Sequence, residues 1–219
     1  MDAHKTAPVA RRRFVLGAGL CGLGMVSAPS IAGAAAAKAG AAPADPNASI
    51  VPLLRGGGVV LAFRHALAPG TFDPPGFVLE DCSTQRNLDD VGRAQSARIG
   101  QWFRSHVLQA AAVRSSPWCR CLDTARIAFG APAVQTWAAL GSPRGTAEQA
   151  YPAHQALLRE SLARMGPGSG FEVWVTHMFV LQDLVGVGVG SGEALVLRSS
   201  AQDPRQGRPQ VLGAWRLSV

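Results

Sequence analysis

Val59–Phe63 is an unbroken apolar run, Val-Val-Leu-Ala-Phe, that meets Arg64-His65 and then a Pro69-Gly70 turn. Branched side chains without alternation mark a strand buried on both faces, as in the interior of an α/β sheet. The segment from Leu67 to Asp81 carries Pro69, Gly70, Pro74, Pro75 and Gly76 and predicts a long loop draped near the strand end. The period then becomes helical: an Asp cap at Asp89 opens a helix reaching about His106, with Val91, Ala94, Trp102 and Phe103 expected on its inward face. Ala111–Arg114 reads as a second strand, Cys119–Phe129 as a helix stopped by Gly130 and Pro132, and Val134–Leu140 as a third strand. Tyr151–Met165 is a further helix with Pro152 in its first turn. Phe171–Thr176 is the next clear strand, and it too runs directly into a histidine, His177. A short helix over Phe179–Val185 and two late strands, Ala194–Leu197 and Val211–Val219, complete the chain. This alternation predicts an α/β fold, a three-layer α/β/α sandwich around a mostly parallel sheet, with an antiparallel edge at the end.

The front of the chain follows none of these periods. Arg11-Arg12-Arg13-Phe14-Val15-Leu16 has the twin-arginine export pattern, the stretch Phe14–Ala37 has no charge, and Ala32-Gly33-Ala34 offers a small-x-small cleavage site. Residues 1–34 are therefore expected to be an export signal, 35–49 a flexible Ala- and Pro-rich linker, and 50–219 the folded domain. Retention of the signal as a single membrane anchor is the rival reading; its Gly and Ala content and its proline favour cleavage. Gly17-Ala-Gly19-Leu-Cys-Gly22 matches a dinucleotide-binding fingerprint, but Phe14-Val15-Leu16 before it is too short a strand, and the match is read as accidental.

Setting the signal aside changes the charge. The full chain has 21 Lys plus Arg against 14 Asp plus Glu; residues 35–219 keep 17 against 13, a net +4. Sixteen of those 17 cations are arginines, scattered and with few aromatics between them, which excludes a nucleic-acid groove and suits small anionic ligands. Cys82, Cys119 and Cys121 remain, so at most one internal disulfide forms, Cys82 with either of the others; three buried thiols are the alternative. No His or Cys stands at metal-ligand spacing from them. His106 and His154 fall in helical stretches and are expected to face solvent.

Strand-end Arg64 and His65 are candidates for gripping and attacking an anion, because ligands of open α/β sheets bind beyond the carboxyl ends of the strands. Together with Leu88-Asp-Asp-Val-Gly92-Arg-Ala-Gln95, Ser115-Ser-Pro117-Trp-Cys-Arg120-Cys-Leu-Asp-Thr124-Ala125 and Val175-Thr176-His177, they follow one another as the motifs of the histidine phosphatase superfamily, also called phosphoglycerate mutase-like. The resemblance spans Val59 to about Leu197. It implies His65 as nucleophile, neutral at attack, Arg64 and Arg120 as phosphate-binding cations, and His177 as a second histidine that is held protonated when surrounded by the anion and donates to a phosphoryl oxygen. Many members use a carboxylate as general acid; Glu148 is the best placed by chain position, with Asp73, Glu80 and Asp81 as other candidates. Glu193 is read as structural, and Ala66 stands where the family usually has glycine.

The function so implied is an exported phosphomonoesterase working through a phosphohistidine on His65, with no cofactor and no metal. Its expected partners are a small phosphorylated substrate or an envelope glycolipid phosphate, such as an envelope sugar phosphate, and the Tat export machinery for the precursor. It would be periplasmic or otherwise extracytoplasmic, and would meet a membrane only transiently during export. The alternative is a noncatalytic phosphate-ligand-binding or envelope interaction protein on the same fold. A membrane-tethered structural protein is the remotest reading.

Overall fold

The computed structural model describes residues 45–145, 148–200, 202–203 and 207–216. The expected export signal, residues 35–44 of the linker and residues 217–219 of the last strand lie outside them. The apolar run becomes β1 (Val59–Arg64), and all of its first five residues are buried. It pairs in parallel with β4 (Phe171–Thr176), Arg64 opposite Thr176, and antiparallel with β5 (Ala194–Arg198). Beyond β4 come β2 (Ala112–Ser115) and β3 (Val134–Thr136), both parallel; beyond β5 comes antiparallel β6 (Gln210–Trp215). The sheet order is β3-β2-β4-β1-β5-β6.

Side chains alternate across a strand, so β1 feeds two cores. Val59, Leu61 and Phe63 pack with Val173 and Val175 against α1 (Val51–Gly56), α2 (Asp90–Ser105) and α3 (Cys119–Phe129). Val60 and Ala62 pack with Trp174, Leu195 and Leu197 against α4 (Tyr151–Ala163) and α5 (Met178–Val185). The three-layer α/β/α sandwich with an antiparallel edge is thus the observed architecture. None of the described helices is long and apolar enough to cross a membrane.

Four local expectations are corrected. The inward face of α2 is Gly92, Ser96, Ile99, Gly100 and Phe103, whereas Val91 is 53% exposed and Ala94 is exposed as well. The reason is close backbone approach: a Cβ on Gly92 would collide with the Leu67 carbonyl oxygen, and one on Gly100 with that of Ala128. The third strand stops at Thr136, because the chain turns into a 3-10 helix at Ala138–Leu140 that buries Ala139 and Leu140 in the α4/α5 core. Packing also begins before Ile50. Trp102 Nε1 donates to Asp45 Oδ2 at 2.8 Å; Asn47 Nδ2 donates to the Arg216 carbonyl at 2.8 Å, and Arg216 N–H to Asn47 Oδ1 at 2.7 Å. Asp45 also contacts His106 Nε2 at 3.1 Å, and both His106 and His154 are half-buried where solvent-facing rings were expected.

Candidate active site

Parallel pairing brings the carboxyl ends of β1, β4 and β2 to one edge. The register continues past the strands, His65 N–H donating to the Thr176 carbonyl and Ser116 N–H to the Val175 carbonyl, both at 2.9 Å. His65, His177 and Ser116 are thereby set side by side, all buried. The two imidazoles meet edge to face, their centroids 5.5 Å apart. α3 starts just after β2, so Arg120 lies in its first turn and points back into the same space, 4% exposed. Thr124 fixes that placement: its hydroxyl donates to the Arg120 carbonyl at 2.7 Å and accepts the Ala66 N–H at 3.0 Å.

Hydrogen bonding fixes the tautomers. A carbonyl only accepts, so the 2.8 Å contact of His65 Nδ1 with the Ala66 oxygen puts the proton on Nδ1 and leaves a lone pair on Nε2, which faces Arg120 Nε at 3.2 Å. A guanidinium only donates, so His177 Nδ1, 3.4 Å from Arg120 Nη2, carries the lone pair, and Nε2–H donates to Ser116 Oγ at 2.8 Å. Burial, reinforced by Arg120, depresses His65 to about 3. Burial, then His65 and the arginines, holds His177 well below 6.5. In the protein alone burial, and then the cations around it, disfavour a positive charge on His177; the protonated form that the resemblance implies belongs to the site with an anion bound.

These groups floor a cleft of about 470 Å³. Arg64, whose Nη1 donates to the Val189 carbonyl at 3.2 Å, lines it beside Arg86 and Arg120. Arg86 comes from the end of the long loop; it donates to the Ala68 carbonyl and, at 3.0 Å, to that of Gly70. Asp73 folds in from the same loop, its Oδ1 accepting from Arg120 Nη1 at 2.8 Å and from Arg86 N–H at 3.0 Å. Among the described residues it is the sole carboxylate lining the cleft. Above it, Phe72, Pro74, Pro75, Phe77, Met178 and Phe179 form the walls, and Arg144 stands over Phe72 at 4.5 Å and Phe179 at 5.4 Å.

A Cys82–Cys119 disulfide ties the loop to the start of α3, next to Arg120, which resolves the open pairing. Two residues along a helix point to nearly opposite sides, so Cys121 faces inward instead. Its thiol is free and buried, 3.5 Å from His177 Nε2, and burial pushes it up to about 12. It is an unreactive thiol packed behind the histidine.

Of the residues singled out from sequence, Arg64, His65, Arg120 and His177 are brought together. Glu148 is not: it is exposed in the turn before α4 and outside the cleft lining, since the loop that returns over the strand ends is the one carrying Asp73. Glu80 and Asp81 are exposed and likewise outside the lining, and Asp81 caps the next turn by accepting Ser83 N–H. Glu193 accepts Gly190 N–H at 2.9 Å and Arg64 N–H through its carbonyl, so it organises the loop before β5. Arg86 and Arg144 were missed; for Arg144 the available signal was an arginine within the Gly141–Gly145 break, and for Arg86 only its place between the Pro- and Gly-rich loop and the Asp89 cap. No cluster of three His, Cys, Asp or Glu among the described residues is placed to hold a metal.

No protein-family model matches the sequence, and no curated protein is similar to it. Solved structures do match. The mycobacterial glucosyl-3-phosphoglycerate phosphatase in complex with VO3 is 14% identical, over 73% of this chain and 99% of that one, with a TM-score of 0.52. Its native structure is 16% identical over 74% and 99%, TM-score 0.51. A structure described as mycobacterial hydrolase 1 is 15% identical over 74% and 99%, TM-score 0.50. At these identities the likeness concerns the backbone, which with the sheet order and the layers identifies the chain as having a phosphoglycerate mutase-like fold.

Proposed function

We propose that the protein is a metal-independent phosphomonoesterase that acts through a phosphohistidine on His65. The observation that carries this reading is a buried imidazole kept neutral, its proton held on Nδ1 by the Ala66 carbonyl and its Nε2 lone pair turned to a cleft floored by three arginines. Nε2 attacks phosphorus as the ester oxygen leaves; water then attacks the phosphohistidine, returning the lone pair to Nε2 and releasing inorganic phosphate. Arg64, Arg86 and Arg120 hold the phosphoryl oxygens, charge that a loose phosphoryl-transfer transition state spreads over all three. An arriving dianion reverses the field on His177, which takes a proton at Nδ1 and donates it to a phosphoryl oxygen, while Ser116 holds Nε2. In this reading Glu148 has no part, Asp73 holds Arg120 in place, and the leaving oxygen takes its proton from solvent or, for a good leaving group, leaves without one.

The likeness to a phosphatase fold that takes VO3 agrees with this chemistry. A location outside the cytoplasm is part of this reading, and what supports it is the twin-arginine pattern of the sequence together with the disulfide. The test is hydrolysis of 4-nitrophenyl phosphate with a chelator present, beside His65→Ala. Turnover is expected in the parent, with loss of at least about 1,000-fold in the variant, as for removal of other covalent nucleophiles. An adduct of about 80 Da trapped on His65 by alkaline quench, in which the acid-labile P–N bond survives, identifies the intermediate. A folded parent that binds inorganic phosphate without turnover means a phosphate receptor instead.

A further inference from the structure

The floor of the cleft accounts for a phosphoryl group, but a phosphoryl group fills only a small part of about 470 Å³. The rest lies where the alcohol portion of an ester would sit, and its walls are Phe72, Phe77 and Phe179 with two prolines and Met178. Phe72 is 53% exposed, a large apolar surface at a cleft mouth that the fold leaves uncovered. The two outer rings are not loose. Arg144 lies over both, joining the long loop that carries Phe72 to the first turn of α5 that carries Phe179, so an apolar slot is formed before any ligand enters. Gly145 fixes the same wall: its φ is +104°, and an added Cβ would sit 2.6 Å from the Phe77 ring and 3.0 Å from Trp118.

Hydrogen-bonding side chains are few along these walls. The lining holds two hydroxyls, exposed Thr71 and buried Ser142, and Ser142 Oγ already accepts from Arg144 N–H at 3.2 Å. Asp73 is engaged by Arg120 and by the Arg86 backbone. A sugar bound here would set most of its hydroxyls against rings, with the Arg144 guanidinium and the Thr71 hydroxyl the few polar groups beside them, whereas an aromatic ring would match the walls. We infer that the site takes phosphate monoesters of flat, apolar alcohols, with Phe72 and Phe179 as its specificity-determining residues, and that sugar phosphates are poor substrates. This rests on the phosphatase reading of the same cleft.

Two measurements on the full chain separate the two claims. In calorimetry, phenylphosphonate, which cannot be hydrolysed at its P–C bond, is expected to bind at least tenfold more tightly than methylphosphonate, and Phe72→Ala/Phe179→Ala to reduce that ratio to below threefold. In turnover, benzyl phosphate and glucose 6-phosphate both release an alkoxide and so make similar demands on an acid; kcat/KM is expected to favour the benzyl ester at least tenfold. Equal phosphonate affinities, or glucose 6-phosphate processed as well as the benzyl ester, would overturn the assignment while leaving a phosphatase. Tight, ring-selective phosphonate binding without hydrolysis of either ester would keep the assignment and remove the phosphatase. Binding of neither phosphonate would overturn both.

Discussion

Two histidines end adjacent strands here, and the same burial that makes one a nucleophile makes both a liability in acid. His65 is depressed to about 3 by desolvation and then by Arg120, and His177 is lowered in the same direction by desolvation, His65 and the arginines. In the unfolded chain both titrate near 6.5, so between that pH and their folded values the unfolded state binds more protons. Their contribution to stability is complete above pH 6.5 and is lost as pH falls below it, with a slope of about 1.4 kcal/mol per pH unit for each histidine. Denaturant midpoints followed from pH 7.5 to 4.5 are expected to drop steeply below 6.5, and His65→Gln to flatten the slope. Inorganic phosphate at high concentration is expected to oppose the loss, because a bound anion favours the charged imidazoles. The residue scale also shows where sequence reasoning stops. Arg64, His65, Arg120 and His177 were legible because each stands in a motif that resembles the superfamily's, at a strand end or helix start that the pattern locates. Asp73 was only one of three carboxylates in a loop, and nothing local to it says which one the loop folds back over Arg120.

The long loop works as an element although it has little regular structure. It is held to α3 by the Cys82–Cys119 bond, by Gln85 Oε1 accepting Cys119 N–H at 3.0 Å, and by Asp73 on Arg120; at its start Gln95 Oε1 of α2 accepts Leu67 N–H at 2.8 Å. Each tie bears on Arg120 or on the wall of the cleft. The cysteines are 37 residues apart in sequence, and closing a loop of that length restricts the unfolded chain by about 4 kcal/mol. Cys82→Ser is expected to lower stability by roughly 2–4 kcal/mol in denaturant unfolding. Because the loop positions the binding wall and not the nucleophile, the variant should raise KM more than it lowers kcat. The helices and strands around it were legible by period, with instructive exceptions. α2 docks through Gly92 and Gly100, and glycine has no hydropathy that marks a face. α1 is hidden by Pro52 and Gly56. The apolar residues after Thr136 serve a buried turn, which periodicity cannot tell from a strand.

At the scale of the molecule, the chain makes its parallel crossovers first and finishes antiparallel; the alternation and the antiparallel edge were legible in the sequence, whereas the order of the strands in the sheet was not. Nor did the sequence convey how the domain closes. The segment around Asn47 reads as tether because its residues are small and polar, yet Asn47 is 2% exposed and grips both backbone groups of Arg216 across 169 positions. Asn47→Ala would leave a donor and an acceptor without partners, at a cost of about 2–3 kcal/mol, readable as a lowered midpoint of thermal or denaturant unfolding. That clasp also makes the described part of the fold a nearly continuous ring, the first and last described segments meeting at Asn47 and Arg216. Such a ring has no privileged starting point: joined at the clasp and cut in an exposed turn such as Gly166–Gly170, it would keep the same strand order and the same cleft, since the contacts that build the site lie within the circuit and not at its seam.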